Sequence, residues 1–89
     1  MNFAVKKIEF EFEENTSTSK KVKVYSLFEM ALKKYALKTA FKLDEEAIEF
    51  DRKISFITVI KVLAKVTNAG FSIKEIEYEA DGIVEVEIE

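Results

Sequence analysis

At 89 residues, with 48% hydrophobic and 35% charged residues and a net charge of −3, the chain holds material for one core and is read as a single domain spanning 1–89. The absence of Cys and His removes a disulfide framework, a thiolate nucleophile, a zinc–thiolate site, the usual general base and the commonest transition-metal ligand. No apolar run nears the ~20 residues that span a bilayer, and the start lacks a signal-peptide pattern, so a cytoplasmic protein with no cofactor and no membrane partner is expected.

In chain order, residues 7–13 alternate Ile8, Phe10 and Phe12 with Glu9, Glu11 and Glu13, which predicts a strand with one buried face. Residues 21–25 alternate as well, and the polar stretch 15–19 between the two runs predicts a β-hairpin. Ser26 and Glu29 have capping-box spacing, with Tyr25 and Met30 placed for a hydrophobic staple. The helix they open turns Phe28, Ala31, Leu32 and Tyr35 inward and Lys34, Lys38 and Lys42 outward, and is expected to end near Leu43.

Residues 44–54 read two ways. Asp44, Glu45 and Glu46 resemble an acidic helix start, whereas Ile48 and Phe50 alternate with Glu49 and Asp51; the strand is favoured, giving a βαβ-like unit, over a helical hairpin. Residues 55–69 form a second helix with a single polar stripe of Thr58, Lys61, Lys65 and Asn68, expected to be packed deeply, and Gly70 stands just past its end. A final hairpin covers 71–80 and 83–89, joined at Asp81-Gly82 in the manner of a type I′ turn. The phase change between Ile73 and Ile76 predicts a bulge near Lys74 and Glu75.

These elements predict an α+β fold, a two-layer sandwich with an antiparallel sheet of four or five strands and two helices packed on one face. Charge is segregated along the chain. Residues 26–43 hold four Lys and one Glu, whereas residues 69–89 hold one Lys and seven acids. On the predicted sheet, Glu9, Glu11, Glu75, Glu77, Glu79, Glu85 and Glu87, with Glu13 and Glu89 beyond them, share the outer face. Alternate residues on a strand are ~6.6–6.8 Å apart, close to the spacing of phosphates along a nucleic-acid strand. Such a plane is suited to a basic protein surface, including a groove built for DNA or RNA. Its plainer account is solubility, with Lys7, Lys23 and Lys74 relieving repulsion across strands.

Other clusters carry less chemistry. Asp44, Glu45, Glu46, Glu49 and Asp51 lack the ligand order and central glycine of an EF-hand and read as a helix start or strand edge. Lys20, Lys21, Lys23, Lys33, Lys34, Lys38 and Lys42 could form a basic strip, but the net charge is negative and Arg occurs once, which argues against direct nucleic-acid binding. No phosphate-binding glycine loop or nucleophile elbow is present.

From Ile48 to Glu89, a strand, a helix ending at Gly70, the run Phe71-Ser72-Ile73 and a hairpin through Asp81-Gly82 resemble the first half of an ACT-type or other ferredoxin-like regulatory domain. The resemblance implies a sheet that pairs in a homodimer and a small effector held at the interface. The ligand-contacting glycine loop of ACT domains is replaced by Asp51-Arg52-Lys53, so no ligand residue is carried over. The expected function is therefore a non-catalytic binding or regulatory module, with a homodimeric ligand sensor as the alternative and no enzymatic site.

Overall fold

The computed structural model describes residues 4–34, 41–44 and 46–89, with backbone alone at 41–44. Strand β1 (Ala4–Phe12) leads into helix α1 (Thr18–Lys34), then β2 (Phe41–Asp44), β3 (Ala47–Ser55), helix α2 (Phe56–Asn68), β4 (Ile73–Glu79) and β5 (Ile83–Ile88). The strands lie in the order β2-β3-β1-β5-β4. The β2–β3, β3–β1 and β5–β4 pairs are antiparallel and β1–β5 is parallel. Among the described residues the fold is thus α+β with two helices, as expected, but the sheet is mixed. The reason is that β5 runs out of its hairpin alongside β1 in the same direction, pairing Lys7 to Phe12 with Ile83 to Ile88.

Strand alternation and helix periodicity meet in one core. Ile8 and Phe10 of β1, Ile48 and Phe50 of β3, and Val84, Val86 and Ile88 of β5 cluster with the buried residues of both helices, and no polar side chain is buried among the described residues. Phe28 is its largest fully buried side chain and meets Phe10 edge-on at 4.6 Å, a favoured aromatic geometry.

The predicted strand at 21–25 is helical. Asn15 takes a positive φ of 66°, which Asn tolerates, and turns the chain after β1. Ser17 Oγ then accepts from Lys20 N–H at 3.1 Å, and the Lys21 N–H reaches the Ser17 carbonyl at 3.2 Å. The helix therefore starts eight residues before Ser26, which is an exposed mid-helix residue. Burial explains the outcome: Val24 is sealed in the core and Val22 is 55% exposed, whereas a strand would put both on one face. Val24, Phe28 and Leu32 instead fall at i, i+4 and i+8 on the buried helical face. Tyr25 packs on Phe10 and Phe12 in place of the expected staple to Met30, which is exposed.

Leu43 belongs to β2, so the first helix does not run to it. The expected places of Tyr35 and Lys38 lie outside the described residues, as do Glu45 and the side chains of Lys42 and Asp44. Residues 47–55 adopt the strand reading.

Helix α2 follows expectation at both ends. Ser55 caps it, its Oγ accepting from Ile57 N–H at 3.1 Å. At the other end Gly70, with φ 98°, donates to the Thr67 carbonyl at 3.0 Å, and Phe71 N–H reaches the Val66 carbonyl at 3.4 Å, the paired bonds of a Schellman motif. The outer side is not the purely polar stripe expected, because Ile57 and Ile60 are 60% and 42% exposed.

The C-terminal hairpin forms with the expected irregularity between Ile73 and Glu75. Its turn differs from type I′: Glu79 pairs with Ile83, leaving the three-residue loop 80–82, in which Gly82 alone has positive φ. Gly82 N–H donates to the Glu79 carbonyl at 3.1 Å and its own carbonyl accepts from Lys6 N–H at 2.8 Å. A side chain at Gly82 would bring a Cβ within 3.0 Å of the Ala4 carbonyl oxygen, so the glycine ties the turn to β1.

Candidate functional site: the outward face of the sheet

Strand pairing converts the alternating glutamates into a lattice. In the parallel β1–β5 pair Glu9 stands opposite Glu85 and Glu11 opposite Glu87; in the antiparallel β4–β5 pair Glu77 stands opposite Glu85 and Glu75 opposite Glu87. Glu79 continues the β4 row opposite Ile83. All seven glutamates predicted for the face, Glu9, Glu11, Glu75, Glu77, Glu79, Glu85 and Glu87, therefore lie together on it. Glu13 falls in the turn after β1 and Glu89 beyond the end of β5.

Sequence reasoning missed Glu49. It stands opposite Lys7 across the β1–β3 pair, which carries the acidic face from β4, β5 and β1 onto a fourth strand. Its alternation with Ile48 and Phe50 was legible; its adjacency to β1 was not.

Like charges directly opposite in a sheet repel, and among the described side chains the lattice has few counter-charges. Lys7 reaches Glu9 at 3.4 Å within its own strand, and Lys74 reaches Glu87 at 3.7 Å across strands. Lys23, expected to help, is on α1. The consequence is concentrated at Glu85, the middle row of the lattice. Its carboxyl is hydrogen-bonded to those of Glu11 and Glu79, and these bonds, then partial desolvation and the negative charge of the same two neighbours, push its pKa from 4.5 up to about 7. A carboxyl held between two carboxylates keeps its proton because only the protonated form can donate to them.

The plane is not featureless. Ala47 stands opposite Glu9, and the short side chain leaves a shallow depression of about 470 Å³ lined by Lys7, Glu9, Glu11, Glu46, Ala47 and Glu85. Chemically, this suits a cationic group. Of the second acidic cluster, Glu46 pairs with Lys21 at 3.8 Å and Glu49 joins the sheet face. Among the described residues no group of three or more acidic side chains is arranged to hold a metal ion, and no helix is long and apolar enough to cross a membrane.

Fold and face together define a small α+β domain with a mixed sheet and a carboxylate-lined outer surface. No protein-family model, curated protein or solved structure matches the chain.

Proposed function

We propose that the protein is a non-catalytic binding or regulatory module that docks its acidic sheet face on a basic surface of a partner protein, and that a groove built for DNA or RNA is one such surface. The observation that carries this reading is the register itself: Glu9, Glu85 and Glu77 form one row across three strands, and Glu11, Glu87 and Glu75 the next. Neighbouring strands are ~4.8 Å apart, so folding brings these carboxylates together at an electrostatic cost that a cationic partner relieves. Glu85 records that cost in its raised pKa. The reading takes the domain as a two-layer sandwich, both helices against the inner face. Contact between α1 and α2 and the single shared core support this. A chain without Cys or His is poor in catalytic groups, which favours binding over an enzyme, and it suits the reducing cytoplasm.

The test uses wild type and the triple reversal Glu77→Lys, Glu85→Lys, Glu87→Lys as bait for host proteins at ~50 mM and ~500 mM salt, where the screening length differs about threefold. The expected result is capture of a defined protein at low salt that the reversal abolishes. Displacement of the captured protein by duplex DNA identifies nucleic-acid mimicry. Capture unaltered by the reversal refutes the reading.

A second reading, a homodimeric ACT-type sensor, draws support from the split crossovers β1-α1-β2 and β3-α2-β4, with β3 seated beside β1. Against it, β5 occupies the place beside β1 where a four-stranded split βαβ domain puts its last strand. A melting temperature unmoved by amino acids and nucleotides would exclude it.

A further inference from the structure

The opposite side of the molecule has a different character. Helices α1 and α2 together carry seven Lys and one Glu, and that Glu29 is held by Lys33 at 3.0 Å. Lys21 is occupied by Glu46, and Lys20 by the Glu89 carbonyl. Lys23, Lys34, Lys61 and Lys65 have no salt bridge among the described residues. Between the helices runs a cleft of about 330 Å³ lined by Leu27, Met30, Ala31, Lys34 and Lys65. Among the described residues its lining is apolar apart from the two lysines, and Met30 is 68% exposed. A flexible thioether side chain at a groove adapts to varied occupants.

We propose that this cleft docks an acidic amphipathic helix of a partner protein, whose apolar residues enter between α1 and α2 and whose carboxylates meet Lys34 and Lys65. Charge complementarity and shape select this occupant. A second copy is unsuited: neither of its helices is acidic, so helix-to-helix packing would set lysines against lysines, and its acidic sheet face lacks a row of apolar side chains to fill the cleft. A bilayer surface engages apolar residues that stand proud of a helix; Met30 does so, but Leu27 and Ala31, which complete the apolar lining, are recessed beyond the reach of a flat surface. A nucleic acid would leave the apolar lining facing phosphates. A helix that presents apolar residues at i, i+3, i+4 and i+7 matches a groove of this kind. The inference is independent of the sheet face.

The probe is a fluorescently labelled peptide of about four helical turns, with Leu at those positions and Glu elsewhere, compared by anisotropy with a permuted peptide of identical composition. The amphipathic peptide should bind, with at least ~10-fold loss on permutation, in the Met30→Glu variant and in the Lys34→Glu, Lys65→Glu variant. The triple reversal on the sheet should leave this binding unchanged, which separates a failure here from a failure of the sheet-face reading. Circular dichroism checks that each variant is folded; all three substituted side chains are at the surface. Equal affinity for the permuted peptide overturns the proposal, as does binding unaffected by Met30→Glu. It is also overturned by phosphatidylserine vesicles that displace the peptide without competition from neutral ones, or by a wild-type dimer that Met30→Glu dissociates.

Discussion

The outward faces of the sheet and of the helices are both charged, yet they carry charge in different ways. On the sheet, each glutamate of β5 has a glutamate directly opposite on both sides, because parallel pairing to β1 and antiparallel pairing to β4 use the same two residues, Glu85 and Glu87. On the helices, charged neighbours recur at i+3 or i+4 on long stems, and one such pair, Glu29 and Lys33, is attractive. The sheet therefore concentrates charge and the helices dilute it with Met30, Ile57 and Ile60. One face offers a dense electrostatic plane, the other an apolar cleft with a basic rim.

Sheet and helices contribute to one core, so the largest effect should come from removing what they share. Phe28→Ala should cost about 3–5 kcal/mol, seen as a lower urea midpoint, and should weaken binding at both faces. A variant that keeps full stability would show that sheet and helices are not held together by this ring. Next, Ser55→Ala should cost about 1 kcal/mol by removing the α2 cap, with Ser55→Thr restoring most of it. Because the cap serves only α2, the pH dependence attributed to the sheet should survive.

That pH dependence is the sharper test of the lattice. The Glu85 pKa is raised in the folded protein, so the folded state holds a proton that the unfolded chain releases near pH 4.5. The associated stability is fully present below about pH 4.5 and is lost as pH rises through about 7. Glu85→Gln keeps an amide that can donate to Glu11 and Glu79 without the charge. Its melting temperature should exceed that of wild type at pH 8 and change less between pH 4 and 8. A wild-type slope retained in this variant would place the like-charge strain elsewhere. The smallest effect is expected from Lys33→Ala, within about 0.5 kcal/mol, since exposed helical ion pairs contribute little.

The acidic face was legible because a strand's side-chain period of two is written into the sequence. Glu85 and Glu87 alternate with Val84, Val86 and Ile88, and no tertiary information is needed to see which set is wet; on β4 the alternation puts Glu75 and Glu77 on one face although Ile76 between them is 38% exposed. Helix α2 was legible at Ser55 and Gly70 because caps act through neighbouring backbone atoms. The start of α1 was not, because Val22 and Val24 fit a strand locally. The spacing of Val24, Phe28 and Leu32 is the signal that would have extended the helix upstream. The cleft escaped notice because its lining comes from two helices separated in sequence, and because Met30 reads in the sequence as a staple partner of Tyr25 rather than as an exposed side chain.

By itself, then, the sequence determined the class of element at most positions, the alternation that puts carboxylates outward, and the glycine at 70 that ends α2, since each follows from interactions within a few residues. Tertiary structure alone decided that β5 pairs parallel with β1 and that Glu49 joins the acidic face, and it chose helix over strand at residues 18–25, where the local pattern fits both. These choices turn on which distant strands and helices can bury Ile8, Phe10, Val24 and Val86 together, and that competition is settled by packing across the whole chain rather than by any local pattern.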